Sequence, residues 1–372
     1  MNVLFLGHRT PPRHGAALVG DFVYALLVKF GYNVRCSNVS LSDEVADIGG
    51  FSIKKVLKIF VLSIGLIRSF YSASPDVVYL TPSVAGAAIL RDFVLVFLIK
   101  ALSFSGRSKP KVVCHIHMRP NLISSWLVQR MCKFVLNESR ILVADKSLIS
   151  DLKKLGVQEI QCSVIPYAVS PLLSEEKFER VLREKYKSAD QPKNVLYMAH
   201  MLPSKGYRRA LEIAKECLKA RKDIVFHFAG AVDEVERAFF QNYIDTHSLS
   251  EYVRIHGRVD DDEKESLFSK AHAMILPSYS EAYPLTIPES LSAGVPVIGT
   301  NTGAIDSIIG KQFGRTIDQE DECAYVKDFA KSLLFIMDIW GLENSLVARE
   351  YYESNWTRSI FEARFQKFIK SV

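Results

Sequence analysis

The sequence predicts an α/β protein in which two successive strand-loop-helix series each build a parallel sheet. Three observations lead there. Short apolar runs recur along the chain, and each opens into a loop and then a segment of helical period. The series stops at a charged stretch, residues 170–192, flanked by Pro171 and Pro192, and then restarts. The restarted series leads to Pro277–Gly303, PSYSEAYPLTIPESLSAGVPVIGTNTG, which reads as loop, short helix and strand after the apolar run Ala273–Leu276. Parallel sheets of this kind place their ligands beyond the carboxyl ends of the strands.

In chain order, Val3–Leu6 is a first buried strand, because MNVLFLGHRT lacks the basic start of a signal peptide. It runs into a loop through Gly15, followed by a helix over 18–30, closed by Gly31, and a strand at 33–36. The loop is not G-x-G-x-x-G, so the dinucleotide fingerprint is absent; Gly15 fits either a phosphate approach or a tight turn. Residues 51–70 form a helix with Lys54, Lys55, Lys58 and Arg68 among aliphatics, and 93–104 is a second apolar stretch. Both fall short of the roughly 20 uninterrupted apolar residues needed to span a bilayer. They read as helices packed mostly into the core, with a basic-flanked edge open to a membrane surface.

Residues 76–80 and 111–117 are strands, and the second ends in His115 and His117. Alternation sends one histidine into the core and the other toward a ligand, and His117, beside the next loop, is the better placed of the two. With no third ligand near in sequence, they do not read as a metal pair. A strand at 141–144, a helix over 146–155 and the run 162–169 complete the first half.

The second half opens with a strand at 194–198 and the loop His200–Gly206, in which Lys205 can meet phosphate as a point charge. Strands follow at 224–230 and 253–257, then a helix over 260–271 with acids in its first turn. In the stretch 277–303, Glu281 and Glu289 stand eight apart with Pro284 and Pro288 between them. Taken alone, Thr286-x-x-Glu289 is a capping box and Glu281 a solvated loop carboxylate. Taken as a site, each carboxylate accepts bonds from neighbouring hydroxyls, so Glu289 would hold a ribose and Glu281 a sugar ring, with a diphosphate at the helix start. The tail 350–371 places Trp356, Ile360, Phe361, Phe365, Phe368 and Ile369 at helical spacing, an apolar face to be buried against the first half.

Composition bounds the partners. Residues 1–170 hold 20 Lys and Arg against 10 Asp and Glu, a net of +10 within a chain of +6 overall. Such a basic half favours an anionic partner. No aromatic-basic reader motif accompanies it, so nucleic acid is not expected. Six scattered cysteines without a CxxC fit reduced thiols in a cytoplasm.

Several of these pieces, in this order and spacing, resemble the GT-B glycosyltransferases, specifically the retaining group 1 class (glycosyltransferase family four). They are MAHMLPSKG at 198–206, Phe228-Ala229-Gly230, the Pro277-Ser278 turn, Glu281-x7-Glu289, and SAGVPVI at 292–298, with Ile165-Pro166 similar to the strand end before the family's linker. The resemblance implies two Rossmann-like domains facing across a deep crevice: 1–170 for the acceptor, 171–192 as the joining region, 193–350 for the donor, and 351–372 as a helix returning to the first domain. It implies His117, Glu281 and Lys205 as catalytic groups. Gly15, His200, Lys205, Glu281, Ala282, Tyr283, Leu285 and Glu289 would line the donor site, with no metal or other cofactor. The donor would be a UDP- or GDP-linked nucleotide sugar, and the acceptor a glycan or lipid-linked molecule. The setting implied is bacterial surface polysaccharide or lipopolysaccharide synthesis in the cytoplasm, peripheral to an anionic inner membrane face.

Two departures stand out. Ala199-His200 replaces the family's Gly-Arg, and His14-Gly15 stands where a glycine pair is common. A histidine clamps phosphate with full charge only below its pKa, which leaves open a non-catalytic relative that binds nucleotide sugar or a partner protein. A nucleotide-sugar epimerase of the same fold fits the Glu-x7-Glu spacing less well.

Overall fold

The computed structural model describes residues 1–11, 15–40, 53–84, 88–104, 108–120, 125–187, 191–319 and 321–372. The chain divides into two compact units, Met1–Tyr167 with Phe361–Val372, and Ala168–Ile360.

In the first unit, β1 (Asn2–Gly7), α1 (Gly15–Lys29), β2 (Asn33–Asn38), α2 (Ile53–Ala73), β3 (Val77–Leu80), α3 (Ala88–Phe104), β4 (Lys111–Ile116), α4 (Trp126–Leu136), β5 (Arg140–Val143), α5 (Lys146–Lys154) and β6 (Cys162–Val164) alternate. The six strands are parallel in the order β2-β1-β3-β4-β5-β6. Buried β1 and β3 are continuous apolar runs, as a sheet covered on both faces requires. Phe5 stacks on Tyr79 at 5.1 Å between ring centroids.

In the second unit, α6 (Glu175–Lys185) precedes β7 (Lys193–Met198), α7 (Tyr207–Ala220), β8 (Ile224–Ala229), α8 (Glu234–Thr246), β9 (Val253–Gly257) and α9 (Asp261–Lys270). Then come β10 (Ala273–Leu276), α10 (Thr286–Ser292), β11 (Val297–Thr300), α11 (Ile305–Ile309), β12 (Gly314–Ile317), α12 (Glu322–Ile339) and α13 (Leu342–Asn355), and α14 (Arg358–Ser371) begins in this unit and passes into the first at Phe361. This sheet is also parallel, in the order β12-β11-β10-β7-β8-β9.

The structure differs from the sequence-based expectation at three places. The stretch 171–192, expected to join the domains, is part of the second unit: α6 buries Phe178 and Leu182 in its core. Arg349 ties the same stretch down by donating to Leu173 O at 3.2 Å and Ser292 O at 2.7 Å. Two apolar residues on one face of a charged helix are enough to dock it.

The tail is two helices, broken at Trp356, whose indole is buried in the second unit and donates to Tyr283 Oη at 2.5 Å. Only the part from Phe361 onward joins the first unit. There Phe361 meets Phe22 at 5.3 Å, Phe365 meets Phe30 at 6.5 Å and Tyr79 at 6.3 Å, and Glu362 pairs with Lys29 at 2.6 Å.

Thirdly, α2 was expected to lie mostly in the core. Leu66 and Phe70 are buried, but Val56, Leu57, Phe60 and Val61 are exposed. An outward apolar stripe therefore stands beside the exposed Lys54 and Arg68, and periodicity alone cannot tell it from a buried one.

Candidate functional site

The second sheet reverses direction between β7 and β10. From β7 the chain winds outward through β8 and β9, then crosses to the other side of β7 to lay down β10, β11 and β12. The loops leaving β7 and β10 therefore stand at the topological switch point of the sheet, the place where open α/β sheets bind ligands. Lys205 is on one of these loops and Glu281 on the other.

Two glycines let the loops close on one another. Gly206 has φ +70°, and a Cβ there would stand 1.9 Å from Pro277 O. Gly303 has φ +58°, and its Cβ would stand 1.9 Å from Glu281 O. Neither position accepts a larger residue without moving backbone. The β7 loop makes one 3₁₀ turn, Pro203–Lys205, before Gly206. Tyr197 of β7 fixes it by donating its hydroxyl to Lys205 O at 3.0 Å and His200 O at 3.3 Å. Tyr279 N donates to Ser204 O at 3.0 Å, closing the contact between the loops.

Within this frame Glu281 is buried and fully engaged. Ser278 Oγ donates to its Oε1 at 2.9 Å, and Lys205 Nζ meets its Oε2 at 2.8 Å. Lys205 remains about a third exposed, so its ammonium also faces solvent. An acid and a base in contact at a switch point can each exchange that partner for one on a ligand: a hydroxyl for Glu281, a phosphate oxygen for Lys205.

Glu289 sits one turn into α10. Its Oε1 pairs with Lys264 Nζ of α9 at 2.5 Å, while Oε2 is buried with no hydrogen-bond partner among the described residues. Burial pushes this carboxyl above the usual carboxylate range, and Lys264 offsets part of that. The capping-box reading of Thr286 and Glu289 does not hold. The N-cap is Leu285, no side chain caps it, and the Glu289 carboxylate turns to Lys264 instead. Ala282, Tyr283 and Leu285 lie on the loop between the two glutamates, and Tyr283 is held by Trp356.

Two residues that the sequence did not single out shape the site. Lys264 is hidden in a run of acids, DDEKES, that reads as an ordinary solvated helix start. Arg209 of α7 is buried, forks onto Glu322 at 2.7 and 2.5 Å, and lies 3.5 Å from the ring centre of Tyr279, bracing the Glu281 loop from outside.

The remaining sequence candidates are placed as follows. His200 follows β7 with its side chain exposed, and its carbonyl is taken by Tyr197 and Leu202 N. In the first unit His117 lies one residue past β4, half-buried, with Nδ1 2.7 Å from Tyr167 Oη. Alternation does not separate the two histidines, because residues two apart on a strand share a face: His115 lies 4.2 Å from His117 between ring centroids, is fully buried and bonded to Tyr79 Oη, and burial holds its pKa down to about 3. Gly15 opens α1 in a conformation any residue adopts, and a Cβ there meets nothing within 4 Å. The tight approach falls at Gly20, where a Cβ would stand 1.9 Å from His8 O. Two basic residues of the same N-terminal loop could also reach a phosphate: Arg9 is committed to Asp21 at 2.7 Å, and Arg13, like His14, lies outside the described residues.

Two parallel doubly wound units, with polar loops gathered over β7 and β10, define a protein of the GT-B fold. Residues 178–337, somewhat less than half of the chain, match the family described as glycosyl transferases group 1. It is 29% identical over 111 residues to a 2-deoxystreptamine N-acetyl-D-glucosaminyltransferase of Niallia circulans, covering 30% of this chain and 28% of the relative. Against the O-antigen chain mannosyltransferase B of Escherichia coli it is 27% identical over 142 residues, covering 37% and 36%. The matches therefore span about a third of the length of these curated relatives. Among solved structures, Anabaena HepE in complex with UDP-glucose superposes with a TM-score of 0.72 at 13% identity, over 100% of both chains. At that identity the likeness shows the fold.

Proposed function

We propose that this protein is a retaining glycosyltransferase that moves a sugar from a UDP- or GDP-linked donor onto a glycan or lipid-linked acceptor. The observation that carries the reading is the cluster of Lys205, Ser278 and Glu281 at the switch point, with the unpartnered oxygen of Glu289 on the same loop-helix segment.

In this mechanism Glu289 accepts the ribose hydroxyls and Glu281 those of the donor sugar. As the bond from the anomeric carbon to the diphosphate breaks, negative charge collects on the departing oxygens. Lys205 turns from Glu281 to meet it, which makes the lysine more effective in the transition state than in the ground state. The amides around Ala282, Tyr283 and Leu285, together with His200 and Gly15, approach the sugar and diphosphate; Pro284, lacking an N–H, does not donate. His117 serves the acceptor side; the acceptor hydroxyl attacks the anomeric carbon on the face that the diphosphate leaves, which gives retention, and its proton passes to the departing phosphate oxygen. No resident metal is required, because Lys205 supplies the countercharge. The relative named as an O-antigen chain mannosyltransferase supports a role in surface polysaccharide or lipopolysaccharide synthesis, and we infer a cytoplasmic setting for it.

A second reading rests on His200, which stands exposed where the family has arginine. It makes the chain a binding protein for nucleotide sugar without turnover. A thermal-shift screen of UDP, GDP, ADP and nucleotide sugars, followed by a sugar-release assay on the donor selected, separates the two. Stabilisation by one nucleotide with sugar release is the expected result. Stabilisation without release establishes the second reading, and a folded protein that no nucleotide stabilises refutes both.

A further inference from the structure

The first unit gathers four polar rings at the carboxyl end of β4. His115 and His117 stand two apart on one face, and Tyr167 packs against both, its ring centre 5.7 Å from His115 and 5.6 Å from His117. Tyr79 of β3 closes the far side, its Oη bonded to His115 Nδ1. Tyr79 and His115 are fully buried, and Tyr167 is 5% exposed. His115 Nε2 has no hydrogen-bond partner among the described residues. Leaving such a nitrogen unmet is a cost that an apolar side chain would avoid, so packing alone does not account for the cluster. Burial also keeps His115 uncharged, with its pKa held down to about 3, so its ring lies against His117 without repelling it.

The Tyr167 hydroxyl has one hydrogen and two acceptors in reach, His117 Nδ1 at 2.7 Å and Ile116 O at 3.5 Å. The first distance is that of a full hydrogen bond and the second lies at the limit of one. We propose that Tyr167 is a positioning residue whose hydroxyl donates to His117 Nδ1 and so holds that ring in the Nε2–H tautomer. In this form His117 brings a hydrogen-bond donor to a sugar oxygen on the acceptor side. It cannot act as a base there, because Nδ1 is occupied and Nε2 already carries hydrogen. The proton of the attacking hydroxyl is thereby left to the departing phosphate oxygen. The place of His117 on the acceptor side belongs to the proposed function, on which this role rests, whereas its tautomer is measured without substrate.

The test is nitrogen-15 NMR of the full-length protein labelled at histidine, at about pH 8, where imidazoles are ordinarily neutral. The signals lost in H117Q assign His117. The wild type is expected to show hydrogen on Nε2 of that ring and a bare, hydrogen-bonded Nδ1. Y167F removes only the hydroxyl and is expected to shift the Nδ1 resonance of His117 and to mix its tautomers. Y79F takes the other hydroxyl from the cluster and is expected to change His115 while leaving the His117 tautomer as it is. In the sugar-release assay Y167F is expected to lower kcat about fivefold, the worth of one neutral hydrogen bond, with KM for the nucleotide sugar within about twofold of wild type. Hydrogen on Nδ1 in the wild type, or a His117 spectrum that Y167F leaves unchanged, would overturn the proposal, and the wild-type spectrum decides the tautomer even if Y167F does not fold. Turnover by H117Q at the wild-type rate would instead remove His117 from the reaction, and the positioning role of Tyr167 with it, whichever tautomer is seen.

Discussion

Replacing Glu289 with glutamine keeps the side chain's volume and removes its charge, and the structure gives that change two effects of opposite sign. The first is on stability. Burial raises this carboxyl above its usual value of 4.5, so the folded protein binds the proton more tightly than the unfolded chain. A group raised in this way favours folding at low pH, and its contribution is lost as pH climbs from 4.5 through the higher folded value. The wild type should lose stability across that window and Glu289→Gln should not. Lys264, once released, is 22% exposed and can turn to water. The variant is therefore expected to melt at or above the wild-type temperature near pH 8, with the gap closing toward about pH 4.

The second effect is on binding. A hydrogen bond from a ribose hydroxyl to a carboxylate is worth about 1.5–3 kcal/mol, against about 1 kcal/mol for a neutral amide oxygen. The difference, about 0.5–2 kcal/mol per bond, weakens nucleotide affinity roughly two- to thirtyfold. Calorimetric titration with the nucleotide selected by the screen measures this, beside ligand-free melts from about pH 4 to about pH 8. An affinity within about twofold of wild type, in a folded variant, would remove Glu289 from the donor site, since even one lost charge-assisted bond exceeds that change.

Two further substitutions address the frame and the cation. Lys205→Met leaves the buried Glu281 carboxylate with Ser278 alone; because the lysine is partly exposed, the stability loss is expected to be only about 1–2 kcal/mol. Turnover should fall about a hundred- to a thousandfold if Lys205 neutralises the leaving diphosphate, and a turnover number that barely moves would dismiss that role. Gly206→Ala combines a left-handed backbone with a carbonyl 1.9 Å from the new Cβ. It is expected to cost more than about 2 kcal/mol in urea unfolding, whereas a loss below about 1 kcal/mol would mean that the two loops separate easily.

Much of the second unit was legible because its signals are local. β10, its loop, α10 and β11 each have a period or a breaker of their own; Lys205 and Glu281 fall on the loops beyond the strand ends, and Glu289 one turn into α10. What could not be read are pairings made across the fold. Nothing near Lys264 distinguishes it from a solvated helix lysine, and only the packing of α9 beside α10 brings it to Glu289, 25 residues away. The same limit explains α6, which carries only two buried apolar residues in a charged segment and so reads as a joining region. It also explains α2, whose outward apolar stripe differs from a buried one only in what the fold sets against it. Gly15 and Gly20 show the limit at single-residue scale: one glycine has open space and the other a carbonyl in contact, a difference sequence does not carry.

The return of Phe361–Val372 to the first unit has a consequence for how the protein is made. Residues 1–167 are translated first, but the rings of Phe22, Phe30 and Tyr79 wait for Phe361 and Phe365, which leave the ribosome only after the whole second unit. The unit that begins synthesis is thus the one that finishes folding last. A chain stalled or clipped before Phe361 retains every residue of the second unit while leaving the first with an uncovered aromatic seam.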